Sequence, residues 1–389
     1  MKTYDKATDY LHLARALELA RSTIGFASPN PHVGAVVVDT AGEIAGEGAH
    51  YYDLHKHAEV VAIEQAGERA RGGTLYLNLE PCCHHGRTGP CVEAVIAAGI
   101  RRVVASMVDP NPRVAGGGFA RLRAAGIEVE VGTDERKARK LNEGFAKWIR
   151  TGKPLVTLKS AMTLDGKIAP SATESRNPSA LGAKTVERGW ITGEAARAHV
   201  QQLRHAADAI LVGVGTVIAD DPWLTDRTGH GRRRPLMRVI LDSSLRIPLD
   251  SRIVQSASED VVVFCTTAGA AERRQELEKR GVRVECVPAR DGRPDLAAAI
   301  DALGAMQITS LIIEGGAAVN SAALEAGLVD KVFLYYAPKI LAGAGAVSFA
   351  NGSHSRAMMG EAAIVREIEL HQFAEDFAVE GYLRNPYAL

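Results

Sequence analysis

Four residues in the first half of the chain have side chains that could together perform metal-assisted hydrolysis: His57, Glu59, Cys82 and Cys91. One imidazole and two thiolates can hold a zinc ion and leave a fourth position open for water. A glutamate two residues from the histidine can move the protons of that water. The pattern therefore predicts a catalytic zinc site with His57, Cys82 and Cys91 as ligands and Glu59 as proton carrier.

Spacing alone does not settle the ligand set, because the same segment holds three more side chains that can bind metal: Cys83, His84 and His85. Cys82 and Cys91 each follow a proline, and a helix N-terminus near either one would favour a thiolate. Cys83 should point away from Cys82. A structural zinc site with four protein ligands is the alternative, but such a site has no use for an unligated Glu59 beside His57.

The elements that must position these residues alternate between strands and helices. Apolar spacing predicts strands at 35–38, 43–48, 74–78, 102–108 and 127–131, and helices at 5–21, 57–66, 91–98 and 119–125. His57 and Glu59 lie about 200° apart around an ideal helix, so they converge only if the motif lies at a helix N-terminus. The alternation predicts a layered α/β domain.

The second half of the chain repeats this alternation. Apolar runs predict strands at 154–159, 238–241, 261–265, 282–287, 311–314 and 332–337, with helices near 270–280 and 294–304. Gly213-Val214-Gly215 and Glu314-Gly315-Gly316 each end a strand, which favours a nucleotide cleft. Asn320 is expected to cap the following helix. The chain of 389 residues is thus divided into two α/β domains, 1–150 and 151–389.

Composition narrows the function classes. The formal net charge is zero, with 46 basic and 46 acidic residues, and aromatic content is 5%. Both values argue against a polyanion-binding protein and against a base-stacking surface. Of five cysteines, three lie within 82–91, which argues against a secreted disulfide framework. Without an N-terminal signal core or a run of 18 apolar residues, we expect a soluble, cytoplasmic protein with no membrane partner.

The motif His57-Ala58-Glu59 followed by Pro81-Cys82 is typical of zinc deaminases, except that the second cysteine lies further on, at Cys91. The run 84–91 resembles that of the riboflavin-biosynthesis pyrimidine deaminases, and Thr23, 29–34 and 109–112 also match that family. The resemblance spans 1–150 and implies a cytidine-deaminase-like three-layer domain. It implies that Asn30 and either His84 or His85 contact the pyrimidine, although each could equally stabilise a loop.

Residues 151–389 resemble the reductase of the same pathway, which is similar in fold to dihydrofolate reductase and uses NADPH. The resemblance implies catalytic assistance by Lys159 and Glu314. It places the cofactor at Met162, Trp190, Thr216, Asp220, Ser243 and Gly316. It places the substrate at Ser175, Arg204, Leu224, Arg227 and Glu314. The arginines suit a ribose 5-phosphate, since a guanidinium matches phosphate oxygens.

The chain departs from that family between Lys167 and Trp190, where a polar, proline-containing stretch at 170–183 lengthens the link. We expect this stretch to extend a loop at the mouth of the cleft. It leaves open whether Ser175 or Arg188 takes the substrate-contact position before Trp190.

The resemblance as a whole implies a bifunctional enzyme with Zn²⁺ and NADPH as cofactors and a small phosphoribosyl pyrimidine as substrate. It would deaminate 2,5-diamino-6-(5-phosphoribosylamino)pyrimidin-4-one and then reduce the ribosyl side chain to ribityl. Two rival hypotheses are a nucleic-acid base deaminase, which the neutral charge disfavours, and a non-enzymatic zinc-stabilised binding protein. Paired α/β domains of this kind also predict self-association into a homo-oligomer.

Overall fold

The computed structural model of the chain describes residues 6–84, 89–171, 189–266, 271–352 and 358–388. They form two units. The first extends to Gly152 and also includes Gly231–Arg234, while the second comprises Lys153–His230 and Pro235–Ala388. Within the described residues, none of the helices has the length and apolar character needed to cross a bilayer.

The first unit is built on a five-stranded sheet with the strand order β2-β1-β3-β4-β5. Its strands are β1 (Gly34–Val38), β2 (Ile44–Ala49), β3 (Thr74–Leu77), β4 (Arg102–Ala105) and β5 (Glu128–Val131). Its helices are α1 (Lys6–Arg21), α2 (Ala58–Ala66), α3 (Cys91–Ala97), α4 (Gly117–Ala124), α5 (Glu135–Leu141) and α6 (Glu143–Thr151). β1 is antiparallel to β2 and β3, whereas β3, β4 and β5 are parallel.

Helices cover both faces of this sheet. A Cβ on Gly34 would lie 2.1 Å from the Ala16 carbonyl oxygen of α1, and one on Gly48 would lie 2.1 Å from the Ala58 oxygen of α2. Gly48 pairs with Ala35, the neighbour of Gly34. Because side chains alternate along a strand, α1 and α2 lie on opposite faces. The unit therefore has three layers, and its glycines allow close helix–sheet packing.

The second unit is built on a nine-stranded sheet with the order β11-β10-β9-β8-β14-β6-β15-β18-β17. Its strands are β6 (Leu155–Thr163), β8 (Ala209–Gly213), β9 (Met237–Leu241), β10 (Val261–Cys265), β11 (Val282–Cys286), β14 (Ser310–Ile313), β15 (Lys331–Ala337), β17 (Arg366–Phe373) and β18 (Asp376–Tyr382). Short strands outside it are β7 (Lys167–Ala169), β12 (Ala289–Arg290), β13 (Arg293–Pro294) and β16 (Val347–Ser348).

The helices of the second unit are α7 (Glu194–Ala206), α8 (Val214–Asp220), α9 (Arg252–Gln255), α10 (Ala271–Glu278), α11 (Leu296–Ala305) and α12 (Ala317–Glu325). From β11 to β15 the sheet is parallel, β18 runs antiparallel to β15, and β17 runs antiparallel to β18. The neighbours Leu211 and Val212 belong to separate buried clusters, so both faces of the sheet are covered.

The predicted α/β class is confirmed in both units, and the predicted strands and helices recur with shifts at their ends. The sequence prediction was wrong at Asn320. This residue lies inside α12, where its side chain donates to the Phe349 carbonyl at 2.9 Å, and Gly316 precedes the helix instead. Residues 172–188, which contain most of the unusual stretch, lie outside the described residues.

Candidate active sites

The candidate zinc site is assembled at the beginnings of two helices. His57 is the extended residue immediately before α2, and Glu59 lies in the first turn of that helix. Cys91 opens α3 after Pro90. Because His57 lies just outside α2 and Glu59 lies in its first turn, both side chains can serve one site. The His57-Ala58-Glu59 motif therefore does not need to place them on one helix face.

His57, Cys82 and Cys91 form one of two groups of potential metal ligands among the described residues, with ligand atoms within 4.8 Å of one another. The His57 Nδ1 lies 2.8 Å from the Cys91 Sγ and 3.5 Å from the Cys82 Sγ. The Cys91 backbone N–H donates to the Cys82 Sγ at 3.3 Å. Around a tetrahedral zinc, a nitrogen and a sulfur ligand are about 3.5 Å apart. These donors, one imidazole and two thiols, therefore fit a zinc ion.

Contacts within the group shift the pKa values of its two thiols in opposite directions. A hydrogen bond from Cys91, with help from His57, lowers the pKa of the Cys82 thiol to about 4, whereas the same contact and burial raise the pKa of Cys91. The hydrogen bond to Cys82 raises the pKa of His57. Burial raises the pKa of Glu59, which is 4% exposed, to about 6. Glu59 is thus a buried carboxyl adjacent to the ligands but outside the ligand set.

Asn30 lies beside this group through a histidine that the sequence analysis did not single out. The Asn30 Nδ2 lies 2.9 Å from the Nε2 of His50, whose Nδ1 is 2.8 Å from the Lys56 carbonyl oxygen. The rings of His50 and His57 meet edge-on, 5.3 Å apart. Burial lowers the pKa of His50. The available sequence signal was a histidine shortly after the predicted strand 43–48.

The loop that carries Asn30 is held by two buried asparagines. The Asn78 side chain accepts from the Gly34 N–H at 2.9 Å and donates to the His32 carbonyl at 2.8 Å. The Asn142 side chain accepts from the His32 N–H at 2.7 Å and donates to its carbonyl at 3.0 Å. Both amides therefore position the loop, and neither was recognised from sequence.

The other potential metal ligands of the cysteine loop are Cys83, His84 and His85. His84 is exposed, and Cys83 is partly buried, with its Sγ beside Gly117 instead of in the ligand group. Residues 85–88, including His85 and Arg87, lie outside the described residues. The structure therefore brings Asn30 beside the candidate ligand group through His50, and it leaves His84 exposed.

In the second unit, three charged residues that the sequence analysis named separately form one buried cluster. The Glu314 carboxylate accepts from the Arg204 Nε at 2.8 Å and Nη2 at 3.0 Å. The Lys159 Nζ lies 3.2 Å from the same carboxylate. Lys159 comes from β6, Arg204 from α7, and Glu314 directly follows β14. Arg204 also donates to the Thr225 carbonyl at 3.2 Å.

Charge pairing keeps Glu314 ionised. Burial alone would raise the pKa of Glu314, but the Lys159 ammonium and the Arg204 guanidinium outweigh it and lower that pKa to about 2. Burial acts against the charge of Arg204 as well, yet Glu314 raises the pKa of Arg204 overall. The cluster is a preorganised arrangement in which a buried ammonium faces a carboxylate that stays ionised at neutral pH.

Several predicted cofactor residues lie along the carboxyl ends of parallel strands. Thr216 lies in α8, and a Cβ added to Gly316 would be 3.9 Å from the Thr216 Oγ1. Ser243 follows β9, and its carbonyl accepts from the N–H of Thr266 at 3.2 Å. Met162 is a buried residue of β6. The carboxyl edge of such a sheet is where ligands bind in open α/β folds.

Other predicted contacts are more dispersed. Trp190 is 70% exposed, with the Arg197 guanidinium 5.1 Å from its ring. Leu224 has φ of +51° and belongs to a buried apolar cluster. Arg227 and Asp220 are exposed, and the Arg227 N–H donates to the Gln201 side chain at 3.0 Å. Ser175 and Arg188 lie outside the described residues.

Two families match successive parts of the chain. Residues 6–107 match the cytidine and deoxycytidylate deaminase zinc-binding region, and residues 154–379 match the RibD C-terminal domain. The fold and the two sites thus define a fused deaminase and reductase. The chain belongs to the RibD family of riboflavin biosynthesis proteins and is a bifunctional enzyme of that pathway.

Curated relatives match over most of their length. The riboflavin biosynthesis protein RibD of Actinobacillus pleuropneumoniae is 43% identical over 341 residues, covering 88% of this chain and 86% of the relative. The RibD of Escherichia coli strain K12 is 43% identical over 345 residues, covering 86% and 88%. The alignment includes both units, so the fusion itself is a family property.

Solved structures agree with the fold. Form 1 of Acinetobacter baumannii RibD superposes with a TM-score of 0.82 at 37% identity, covering 97% of this chain and 99% of that one. A diaminohydroxyphosphoribosylaminopyrimidine deaminase/5-amino-6-(5-phosphoribosylamino)uracil reductase from Thermotoga maritima gives 0.79 at 34% identity, again covering 97% and 99%. The predicted fold class, a cytidine-deaminase-like domain followed by a reductase domain, is confirmed.

Proposed function

We propose that residues 1–150 deaminate 2,5-diamino-6-(5-phosphoribosylamino)pyrimidin-4-one and that residues 151–389 use NADPH to reduce the ribosyl side chain of the product to ribityl. The observation that carries the first step is the buried Glu59 beside the ligand group His57, Cys82 and Cys91. The Lys159–Glu314–Arg204 cluster at the carboxyl edge of the second sheet supports the second step.

In the deaminase unit, a bound zinc ion would activate water for attack at the amine-bearing ring carbon. The Glu59 carboxylate accepts a proton from the attacking water. It then returns the proton to the ring nitrogen and the departing amine, which leaves as ammonia. The burial that raises the pKa of Glu59 to about 6 makes it both an effective acceptor and an effective donor near neutral pH.

Asn30 and His84 are the proposed pyrimidine contacts. Asn30 is supported by its hydrogen bond to His50, which lies edge-on to the His57 ring. The Asn30 side chain has an acceptor and two donors, so it can hold His50 and still meet a ring substituent. His84 is supported by the family resemblance alone.

In the reductase unit, NADPH would supply the hydride that C1′ of the ribose receives. As the C1′–O4′ bond breaks, O4′ must gain a proton, and the Lys159 ammonium is the proposed donor. Glu314 holds Lys159 in place and stays ionised, because its pKa is lowered to about 2 against the effect of burial by Lys159 and Arg204. Arg204 fixes the other edge of the Glu314 carboxylate.

The proposed cofactor contacts are Met162, Trp190, Thr216, Asp220, Ser243 and Gly316. Met162, Thr216, Ser243 and Gly316 follow the carboxyl edge of the sheet, whereas Trp190 and Asp220 are exposed. Gly316 directly precedes α12, so the amides at that helix start can approach a phosphate. The proposed substrate contacts are Ser175, Arg204, Leu224, Arg227 and Glu314, with the exposed Arg227 suited to a ribose 5-phosphate. We also propose a cytoplasmic homo-oligomer.

The test separates the two activities in the full-length, zinc-loaded protein. Glu59→Gln should lower ammonia release from the diaminopyrimidine by about 10²–10⁴-fold while zinc content and NADPH oxidation with the deaminated substrate stay unchanged. The matched control is Glu93→Gln, which alters an exposed glutamate in the first turn of α3. Unchanged ammonia release in zinc-loaded Glu59→Gln would refute the hydrolytic role. Folded wild-type protein that fails to oxidise NADPH with the deaminated substrate would refute the second step.

A further inference from the structure

Two cysteines outside the zinc site face each other at the edge of the nine-stranded sheet. Cys265 ends β10 and Cys286 ends β11, and they are register partners in this parallel pair. Their Sγ atoms are 3.4 Å apart. β11 is the outermost strand at this side of the sheet, so the pair joins an edge strand to its one neighbour.

The backbone geometry already permits a covalent bond between them. Adjacent strands lie about 4.8 Å apart, and disulfides join residues whose Cα atoms are about 4.4–6.8 Å apart. The two sulfurs need only close from 3.4 Å to about 2 Å. Side-chain rotation is enough for this change, because the register already places both side chains on the same face of the sheet.

The two sulfurs have different surroundings. Cys286 is exposed, whereas Cys265 is 1% exposed and packs in a buried apolar cluster. Burial, together with the contact to Cys286, raises the pKa of Cys265 to about 12, so Cys265 stays a protonated thiol. An oxidant from solvent therefore meets Cys286 first.

A positive charge is fixed beside the exposed sulfur. The Arg274 Nη1 lies 3.9 Å from the Cys286 Sγ. The same guanidinium donates to the Val284 carbonyl at 3.0 Å and to the Glu278 carboxylate at 2.8 Å. These bonds hold the positive charge at the end of β11, beside the sulfur that meets the oxidant first.

We propose that Cys265 and Cys286 form a reversible dithiol–disulfide site that is oxidised by peroxides. The Cys286 sulfur attacks one oxygen of hydrogen peroxide and the O–O bond breaks, giving a sulfenic acid at Cys286 and one water once the proton is transferred. The Cys265 sulfur then attacks the Cys286 sulfur to form the disulfide, and the Cys265 proton passes to the sulfenic oxygen, which leaves as a second water. Two thiols lose two electrons and two protons, and the peroxide is reduced to two waters.

The site borders the cofactor edge of the reductase unit. Thr266, which follows Cys265, donates its N–H at 3.2 Å and its Oγ1 at 3.0 Å to the Ser243 carbonyl. The disulfide would thus tie the edge strand to the segment that holds Ser243. The proposal concerns the thiols themselves and is independent of the substrates proposed above.

The test treats full-length, zinc-loaded protein with hydrogen peroxide, blocks the remaining thiols, and maps the peptides by mass spectrometry without reduction. We expect a peptide pair that joins Cys265 to Cys286 within one chain, lighter by two hydrogen atoms and separated by dithiothreitol. If both thiols stay free, or if Cys286 links only to other chains or is oxidised alone, the proposal fails.

Four variants sharpen the result. Cys286→Ser should abolish the cross-linked peptide, and this exposed position tolerates the change better than Cys265. Arg274→Gln should slow cross-linking several-fold, whereas Arg274→Lys keeps the charge and should slow it less. Cys83→Ser, at a cysteine of the first unit, is the matched control and should leave the yield and rate of cross-linking unchanged. Equal rates in wild type and Arg274→Gln would contradict the assigned role of Arg274.

Discussion

The Glu80 carboxylate accepts a 2.8 Å hydrogen bond from the backbone N–H of Gly118, at the start of α4. It also accepts the N–H groups of three further residues: Asp109 at 3.1 Å, Gly116 at 2.8 Å and Phe119 at 3.1 Å. Glu80 is 2% exposed and lies two residues before the proposed zinc ligand Cys82. One buried carboxylate therefore fixes the segment that carries this ligand to the loop after β4.

Glu80→Gln should weaken both the fold and zinc binding. The amide nitrogen would face two N–H donors, and each buried donor left unpaired costs about 1–3 kcal/mol. We expect a lower Tm and weaker zinc retention in a chelator competition. Glu93→Gln, at an exposed ion pair with Arg121, is the control and should change stability by no more than about 1 kcal/mol. Equal zinc retention in both variants would contradict the positioning role of Glu80.

Gly48→Ala should displace the helix start that carries His57 and Glu59. The new Cβ would lie 2.1 Å from the Ala58 carbonyl oxygen and 2.7 Å from the Ala62 nitrogen, so α2 must move away from β2. Overpacking of this kind costs about 1–3 kcal/mol. We expect loss of ammonia release and of zinc affinity, with NADPH oxidation retained. Gly360→Ala is the control: no atom lies within 4 Å of the added carbon, so both activities should be unchanged. Deaminase activity that survives Gly48→Ala would count against the close packing of α2 on β2.

The clustering of the proposed zinc ligands and much of both sheets could be predicted from the sequence, because the signals are local. Apolar runs such as 261–265 form strands wherever they are buried, and His57, Glu59 and the cysteines reveal their chemistry by type and spacing. The C-terminal hairpin of β17 and β18 was missed. On β17 the exposed Ile368 and Leu370 alternate with partly buried polar residues, so the strand lacks the usual apolar inward face.

Partners far apart in the sequence could not be predicted. The sequence predicted a substrate contact for Arg204 but gave no sign of the two hydrogen bonds that it makes to Glu314. Glu80 resembled any acidic residue after a strand, and only the fold brings the four backbone donors to it. The burial of Leu224 could not be predicted either, since it depends on residues of distant elements.

Glu314 should make the stability of the reductase unit depend on acid pH. Its pKa is lowered from 4.5 to about 2, because Lys159 and Arg204 outweigh the opposing effect of burial. A carboxyl with a lowered pKa in the folded state contributes stability that is present above pH 4.5 and lost as the pH falls towards about 2. The measurement is the free energy of unfolding of this unit as a function of pH.

Glu314→Gln should remove that dependence and destabilise the unit at neutral pH by about 3–5 kcal/mol, since it leaves two buried cations without their partner. The gap between wild type and variant should narrow as the pH falls from about 5 to about 3. Glu276→Gln, at a partly exposed ion pair with Arg273, should run parallel to wild type. A constant gap between wild type and Glu314→Gln across this range would show that Glu314 is not the titrating group.

Lys159→Gln should separate the two activities. The amide keeps a hydrogen bond to Glu314 within reach but cannot deliver a proton to the opening sugar, so kcat for NADPH oxidation should fall by about 10²–10⁴-fold. KM for NADPH should change little, because Lys159 is not one of the proposed cofactor contacts. Ammonia release depends on residues of the first unit and should be unchanged. Lys153→Gln, at an exposed ion pair with Asp301, is the control. A purely structural Lys159 would instead lower Tm and leave the kcat of the folded fraction intact.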